Sequence, residues 1–365
     1  MDGGDGTDGG NERDGGNERD GGGAEPDGGV TDGGGSPADA GSALRLHAYD
    51  LVISGGTVAA SCFRDGTVPA PGLDAFPSQT LEVLTWEAGG HQFIELGTIS
   101  FRLGDAPQVA LFVGGIEGAS GTLRWSRTSE RSVGGAYTER RAASAQFVFD
   151  AFGAPFSTGT LALQASYTCS SATQPCPTGS QRPADAATCT LSVPFTAREV
   201  PLTAKWTTPD APVAGARRFL VVTDEDPIQN VAASCYRNGM RPPTTSVTTG
   251  ERFIQRWQTF RVGTTDFLRT GQQFFTLGDA PVLEIDVDLV GQGTYQFSRA
   301  TQTVSGVVET RTTSATVPLL ASPVTTGTME LASSYACVGA QCATVAATDA
   351  ASCHVSVPLQ AFELP

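Results

Sequence analysis

The sequence contains itself twice. Val58-Ala59-Ala60-Ser61-Cys62-Phe63-Arg64-Asp65-Gly66 returns as Val231-Ala232-Ala233-Ser234-Cys235-Tyr236-Arg237-Asn238-Gly239, and three further cysteines follow in the same order in each copy. Tyr167-Thr168-Cys169 answers to Tyr335-Ala336-Cys337, and Cys176 to Cys342. Cys189-Thr190-Leu191-Ser192-Val193-Pro194 answers to Cys353-His354-Val355-Ser356-Val357-Pro358. Leu103-Gly104-Asp105-Ala106-Pro107 also recurs, as Leu277-Gly278-Asp279-Ala280-Pro281. The offset between partners drifts only from 174 to 164, so the elements keep their order and the loops absorb the differences. Such a chain folds as two copies of one domain, and 365 residues suffice for two domains of roughly 150 residues each.

Eight cysteines, four per copy, read as a disulfide framework formed in an oxidising compartment. Zinc would ask for paired C-x2-C knuckles, whereas the spacings here are Cys169-x6-Cys176 and Cys337-x4-Cys342. Three of the four in each copy share a strand face with apolar residues and are expected to point into the core. Short spacers close readily as small rings. We therefore expect local staples Cys169–Cys176 and Cys337–Cys342 with long-range links Cys62–Cys189 and Cys235–Cys353; the other two pairings of each set stay open. Neither a metal nor a cofactor is expected.

Alternation with a period of two dominates the rest. Leu161, Leu163, Ala165, Tyr167 and Cys169 fall on one strand face, as do Cys189, Leu191, Val193 and Phe195. Helical spacings are scarce and turn residues recur frequently. The fold class is all-β: two tandem homologous antiparallel β-sandwich domains, immunoglobulin-like or jelly-roll-like, disulfide-stapled and preceded by a disordered tether. The expected boundaries are a tether at 1–42, one domain at 43–198, a Pro-containing linker at 199–216 and the second domain at 217–365. Trp206 lies in that linker and is placed to seal the junction.

Residues 1–42 hold sixteen glycines and a tandem Asn-Glu-Arg-Asp-Gly-Gly, and contribute −9 of the net charge of −15. With almost nothing apolar to bury, the segment cannot offset its ordering entropy and reads as a flexible, self-repelling tether. The remainder is only mildly acidic and offers no basic patch to neutralise nucleic-acid phosphates. This leader resembles the Gly/Asp-rich spacers that follow the lipid-modified cysteine of bacterial surface lipoproteins. The resemblance implies an exported protein at the outer cell surface or outside the cell. It also implies a signal sequence removed ahead of Met1 and an N-terminal lipid, absent from this chain, as the only membrane contact.

Catalytic patterns are sparse. His47, His91 and His354 have no histidine counterparts in the other copy, and Gly118-Ala119-Ser120-Gly121 lacks the G-x-S-x-G elbow. Glu284, Asp286 and Asp288 alternate with apolar residues and make a weak candidate cation site on one strand face. The counterparts of Glu284 and Asp286, Ala110 and Phe112, lie in a run, Val109–Val113, that is apolar on both faces; either a further element of the protein covers it, or it marks a candidate interface on the first domain with the second remaining an acidic spacer. Trp86 aligns with Trp257 and Trp125 with Phe297, as core positions of a duplicated fold would.

The expected function is non-enzymatic binding or structural display at the cell envelope. Its partner would be an envelope or extracellular protein, a glycan, or another copy of the chain. A secreted glycan-active hydrolase and a subunit of a surface filament are the rival classes. Deleting residues 1–42 is expected to leave the unfolding midpoint unchanged in a calorimetric scan; a loss of several degrees would mean that the leader docks on a domain.

Overall fold

The same two-residue alternation closes the chain into barrels. The computed structural model describes residues 44–365 apart from 89, 112–114, 134–135, 172–175, 177–184, 243–246, 250–251, 305 and 343–348; the leader at 1–42 lies outside the described residues. The first repeat comprises β1 (Arg45–Ile53), the short pair β2 (Gly56–Thr57) and β3 (Ala75–Phe76), β4 (Gln79–Ala88) and β5 (His91–Glu95). It continues through a second short pair, β6 (Ile99–Phe101) and β7 (Val109–Leu111), to β8 (Gly115–Ala119), β9 (Thr122–Val133), β10 (Tyr137–Phe149), β11 (Phe156–Ser171) and β12 (Thr188–Val200). One helical turn, α1 (Ala204–Thr207), occupies the linker. The second repeat comprises β13 (Arg217–Asp224), the turn α2 (Asp226–Gln229), β14 (Val247–Thr249), β15 (Arg252–Val262) and β16 (Thr265–Arg269). After them come the pair β17 (Gln273–Phe275) and β18 (Leu283–Ile285), then β19 (Leu289–Gly291), β20 (Thr294–Val304), β21 (Val308–Pro318), β22 (Val324–Val338) and β23 (Ser352–Glu363).

Each repeat closes eight antiparallel strands on themselves, β1-β4-β5-β8-β9-β10-β11-β12 in the first and β13-β15-β16-β19-β20-β21-β22-β23 in the second. The tandem, disulfide-stapled all-β reading holds. Its connectivity is a meander, in which the first and last strands pair (β1 with β12, β13 with β23) and leave the sheet no long free edge. Burial follows the sequence pattern: Leu161, Leu163 and Ala165 of β11, and Cys189, Leu191, Val193, Phe195 and Ala197 of β12, all point into the first core. Both barrels belong to one compact unit, Ala40–Pro365.

The repeated Leu-Gly-Asp-Ala-Pro proves to be a tie. Gly104 and Gly278 take φ of 58° and 62°, and a Cβ there would stand 2.8 Å from the Cys62 carbonyl oxygen and 2.7 Å from that of Cys235. Only glycine combines that backbone with that approach. The next amide, Asp105 N or Asp279 N, donates to the same cysteine carbonyl, at 2.9 and 2.8 Å. The Asp105 and Asp279 carbonyls then accept from Ala186 N and Ala350 N, just ahead of the strands that carry Cys189 and Cys353. Each motif thus pins both ends of one disulfide to one barrel mouth. The short pair beside it, β6–β7 or β17–β18, packs against β10 and β11 or β21 and β22.

Cys62 is bonded to Cys189, Cys235 to Cys353, Cys169 to Cys176 and Cys337 to Cys342, and no cysteine is free. The four bridges mark a non-reducing compartment. No helix among the described residues is long and apolar enough to cross a membrane. Cys169 and Cys337, expected in the core, are only half-buried, because their strands run on past the barrel body to the exposed staples. In the chain-entropy treatment a link spanning 127 residues contributes about 5 kcal/mol and one spanning seven about 2 kcal/mol. Replacing Cys62 and Cys189 by serine together is therefore expected to lower urea-unfolding stability by at least twice as much as replacing Cys169 and Cys176. Equal losses would contradict the tie.

Candidate functional site

Which surfaces are free is decided by the contact between the barrels. On β4 and β5 the outward residues are as apolar as the inward ones: Leu84, Trp86, Ala88 and Phe93 point away from the first core. They meet the outward face of the second barrel, where Leu220, Val222, Ile254 and Phe362 stand, and Trp206 of α1 closes the group. Trp86 stacks on Phe93 at 5.1 Å between ring centroids, and Phe93 lies 5.2 Å from Phe362. Side chains of this size contribute about 1.5–3 kcal/mol each when fully buried. The Trp86 indole N–H has no hydrogen-bond partner, a cost that the packing must offset. Trp86 and Trp257 are therefore not equivalent. Both are buried, but Trp86 lies in this seam and Trp257 in the second barrel's core. Trp125 and Phe297 do occupy matching core positions.

Charges finish the seam. Glu95, 5% exposed, accepts both of its bonds from Arg256 Nη2, at 2.9 and 3.2 Å, while Arg256 Nε donates to the Trp206 carbonyl at 3.0 Å. Burial raises the Glu95 carboxyl above its ordinary range, and Arg256 only partly offsets it. At the rim, Glu117 of the first barrel binds Arg252 of the second and His91 Nδ1 at 2.5 Å. Burial alone would raise Glu117, yet hydrogen bonds and charge from Arg252 and His91 leave it lowered. Lys205 and Trp206 both donate to Glu82, at 2.9 and 3.0 Å. The second repeat also lends a strand, since β14 pairs with β9 through Val247↔Glu130 to Thr249↔Thr128.

The candidate residues then fall into place. Ala110 is buried within β7, between Val109 and Leu111 of the first core, and Phe112 lies outside the described residues. Ala110 therefore offers little contact surface, and the described part of the run, Val109–Leu111, is buried on both faces. The three acids do not form one cluster: β18 ends at Ile285, Glu284 and Asp286 share one arginine, and Asp288 turns to another. Asp286 binds Arg299, which also reaches Glu284 at 3.8 Å, and Asp288 is held by both Nε and Nη2 of Arg269 at 2.8 Å. No group of metal-ligating side chains is found among the described residues. Each histidine meets a different glutamate: His47 with Glu199, His91 with Glu117 and His354 with Glu330.

One surface differs sharply between the repeats. Residues 99–109 and 273–283 show the same order of buried and exposed positions, so their side chains are directly comparable. At the exposed positions Ser100 becomes Phe274 (59% exposed) and Gln108 becomes Val282 (54% exposed). At this matched surface the exposed apolar side chains lie on the second barrel. Beside it opens a cleft of about 600 Å³, lined by Tyr236, Phe253, Phe274, Gln255, Gln273 and Asp279 among others. Phe274 was legible as an unpaired aromatic in Gln272-Gln273-Phe274-Phe275, but no periodicity said which phenylalanine faced out. No family model matches the chain, and neither a curated protein nor a solved structure matches it.

Arg256→Met is expected to lower stability by about 3–5 kcal/mol, because Glu95 is left buried and unpaired. Adding Glu95→Leu should restore most of that loss; a single-variant cost below about 1 kcal/mol would contradict a buried pair. Glu117 gives a pH test. Its lowered value means that its contribution is present above the ordinary carboxylate range and lost as pH falls through the folded-state value. Glu117→Gln should therefore lower stability at neutral pH and make the acid limb of the stability profile shallower.

Proposed function

We propose that the chain is an exported, non-enzymatic binding protein of the cell surface, held away from its anchor by the Gly/Asp-rich leader, with the exposed Phe274 and Val282 surface of the second barrel as its contact face. One observation carries the reading. Between two copies of one fold, the ties, disulfides and core positions are retained, while exposed Ser100 and Gln108 have become exposed Phe274 and Val282. A large apolar side chain held in water stabilises nothing in its own domain. Adjacent exposed ones next to a cleft are the usual mark of a recognition surface. The four disulfides support export, and the charged, glycine-rich leader supports a spacer role.

The reading is tested by binding of the purified full chain to washed cell-envelope preparations. Phe274→Asp with Val282→Asp is expected to weaken binding at least tenfold while changing stability by less than about 1 kcal/mol, as surface substitutions do. Ser100→Asp with Gln108→Asp, at the matching positions of the first barrel, should leave binding unchanged. Equal binding by all three proteins would overturn the assignment of this face.

A further inference from the structure

The cleft beside Phe274 has a chemistry more specific than an apolar patch, and from it we infer a binding site for neutral oligosaccharides; this rests on the reading of the Phe274 surface as the contact face. A sugar ring presents an apolar C–H face and a rim of hydroxyls that both donate and accept. The cleft supplies a partner for each. Phe274 holds its ring 59% exposed and enters no ring–ring contact among the described residues, so its face is available for stacking.

Two glutamine amides in the cleft are set in place by a chain of hydrogen bonds. Trp257 Nε1 donates to Gln255 Oε1 at 2.7 Å, Gln255 Nε2 donates to Gln273 Oε1 at 2.9 Å, and Gln273 Nε2 donates to the Thr270 carbonyl at 2.9 Å. A primary amide has two N–H donors and two lone pairs, so each retains one donor and one acceptor for a ligand. Because the chain already fixes their orientation, a ligand bears little of the cost of ordering them.

Charge narrows the ligand class. Glu225 and Asp279 line the cleft, and no lysine, arginine or histidine is among its described lining residues. Carboxylates accept from hydroxyls and repel phosphate, sulfate and uronic-acid groups. The volume, about 600 Å³, falls within the about 300–1,000 Å³ typical of ligand sites. The first repeat lacks the same features, with Ile99 where Gln273 stands and Ser100 where Phe274 stands. The described residues of the two repeats therefore hold one such site.

Titration calorimetry of the full chain with cellohexaose, xylohexaose and maltohexaose, and with hexagalacturonate as the anionic counterpart, tests the inference. At least one neutral hexaose should bind with one site per chain, and hexagalacturonate should not. Phe274→Ala and Gln273→Ala should each weaken that binding at least tenfold at an unchanged thermal midpoint, with Ser100→Ala without effect. Silence from all three neutral sugars, preference for hexagalacturonate, or binding indifferent to both substitutions would overturn it. The broader reading is separable. If no sugar binds while Phe274→Asp with Val282→Asp still abolishes envelope binding, the sugar inference fails and the contact face stands.

Discussion

An apolar face on the outside of a closed barrel cannot remain in water, and on β4 and β5 that constraint shapes the whole molecule. Leu84, Trp86 and Phe93 are covered only because Leu220, Ile254 and Phe362 of the second barrel meet them. Once that contact is made, Glu95 is buried and needs Arg256, Glu117 faces Arg252, and β14 comes within pairing distance of β9. The linker is recruited too, through Trp206, its Glu82 hydrogen bond and the Arg256 bond to its carbonyl. A duplicated protein joined by a Pro-containing linker would ordinarily keep two independently moving domains. Here the seam resembles a third core.

What the two copies share is what closes a barrel. The glycine of the Leu-Gly-Asp-Ala-Pro tie, the aspartate amide on the cysteine carbonyl and the disulfide behind it recur bond for bond. What they do not share lies outside that framework. The outward faces of β4, β5, β13, β15 and β23 have become mutually complementary, and exposed Phe274 and Val282 stand where the first repeat has Ser100 and Gln108. The first change is accounted for by the seam. The second is left exposed among the described residues, which is the physical reason to look for its role in a contact.

Much of this was legible in the sequence. Period-two runs such as Leu161–Cys169 identify strands, and the cysteine spacings favour the local staples and long links that form. The seam was not legible, because alternation separates two faces without saying which is inside. Where both are apolar, as in Val83-Leu84-Thr85-Trp86, the rule has no answer, and Trp86 was matched with Trp257 across opposite faces. Glu95 and Arg256 lie 161 residues apart, beyond any local pattern, although an acid inside Phe93-Ile94-Glu95-Leu96 was a signal that a buried cation would be needed. The acids at 284–288 misled for a different reason. The alternation continues through Asp288, but the strand stops at Ile285, and each carboxylate turns to an arginine.

If the seam is a core, the two barrels should unfold together. Differential scanning calorimetry of the full chain tests this most directly. A single endotherm whose calorimetric and van't Hoff enthalpies agree is predicted, shifting as one transition when Trp86 is replaced by alanine. Two resolved transitions in the unmodified chain, with Trp86→Ala moving only the one belonging to the first barrel, would contradict the account.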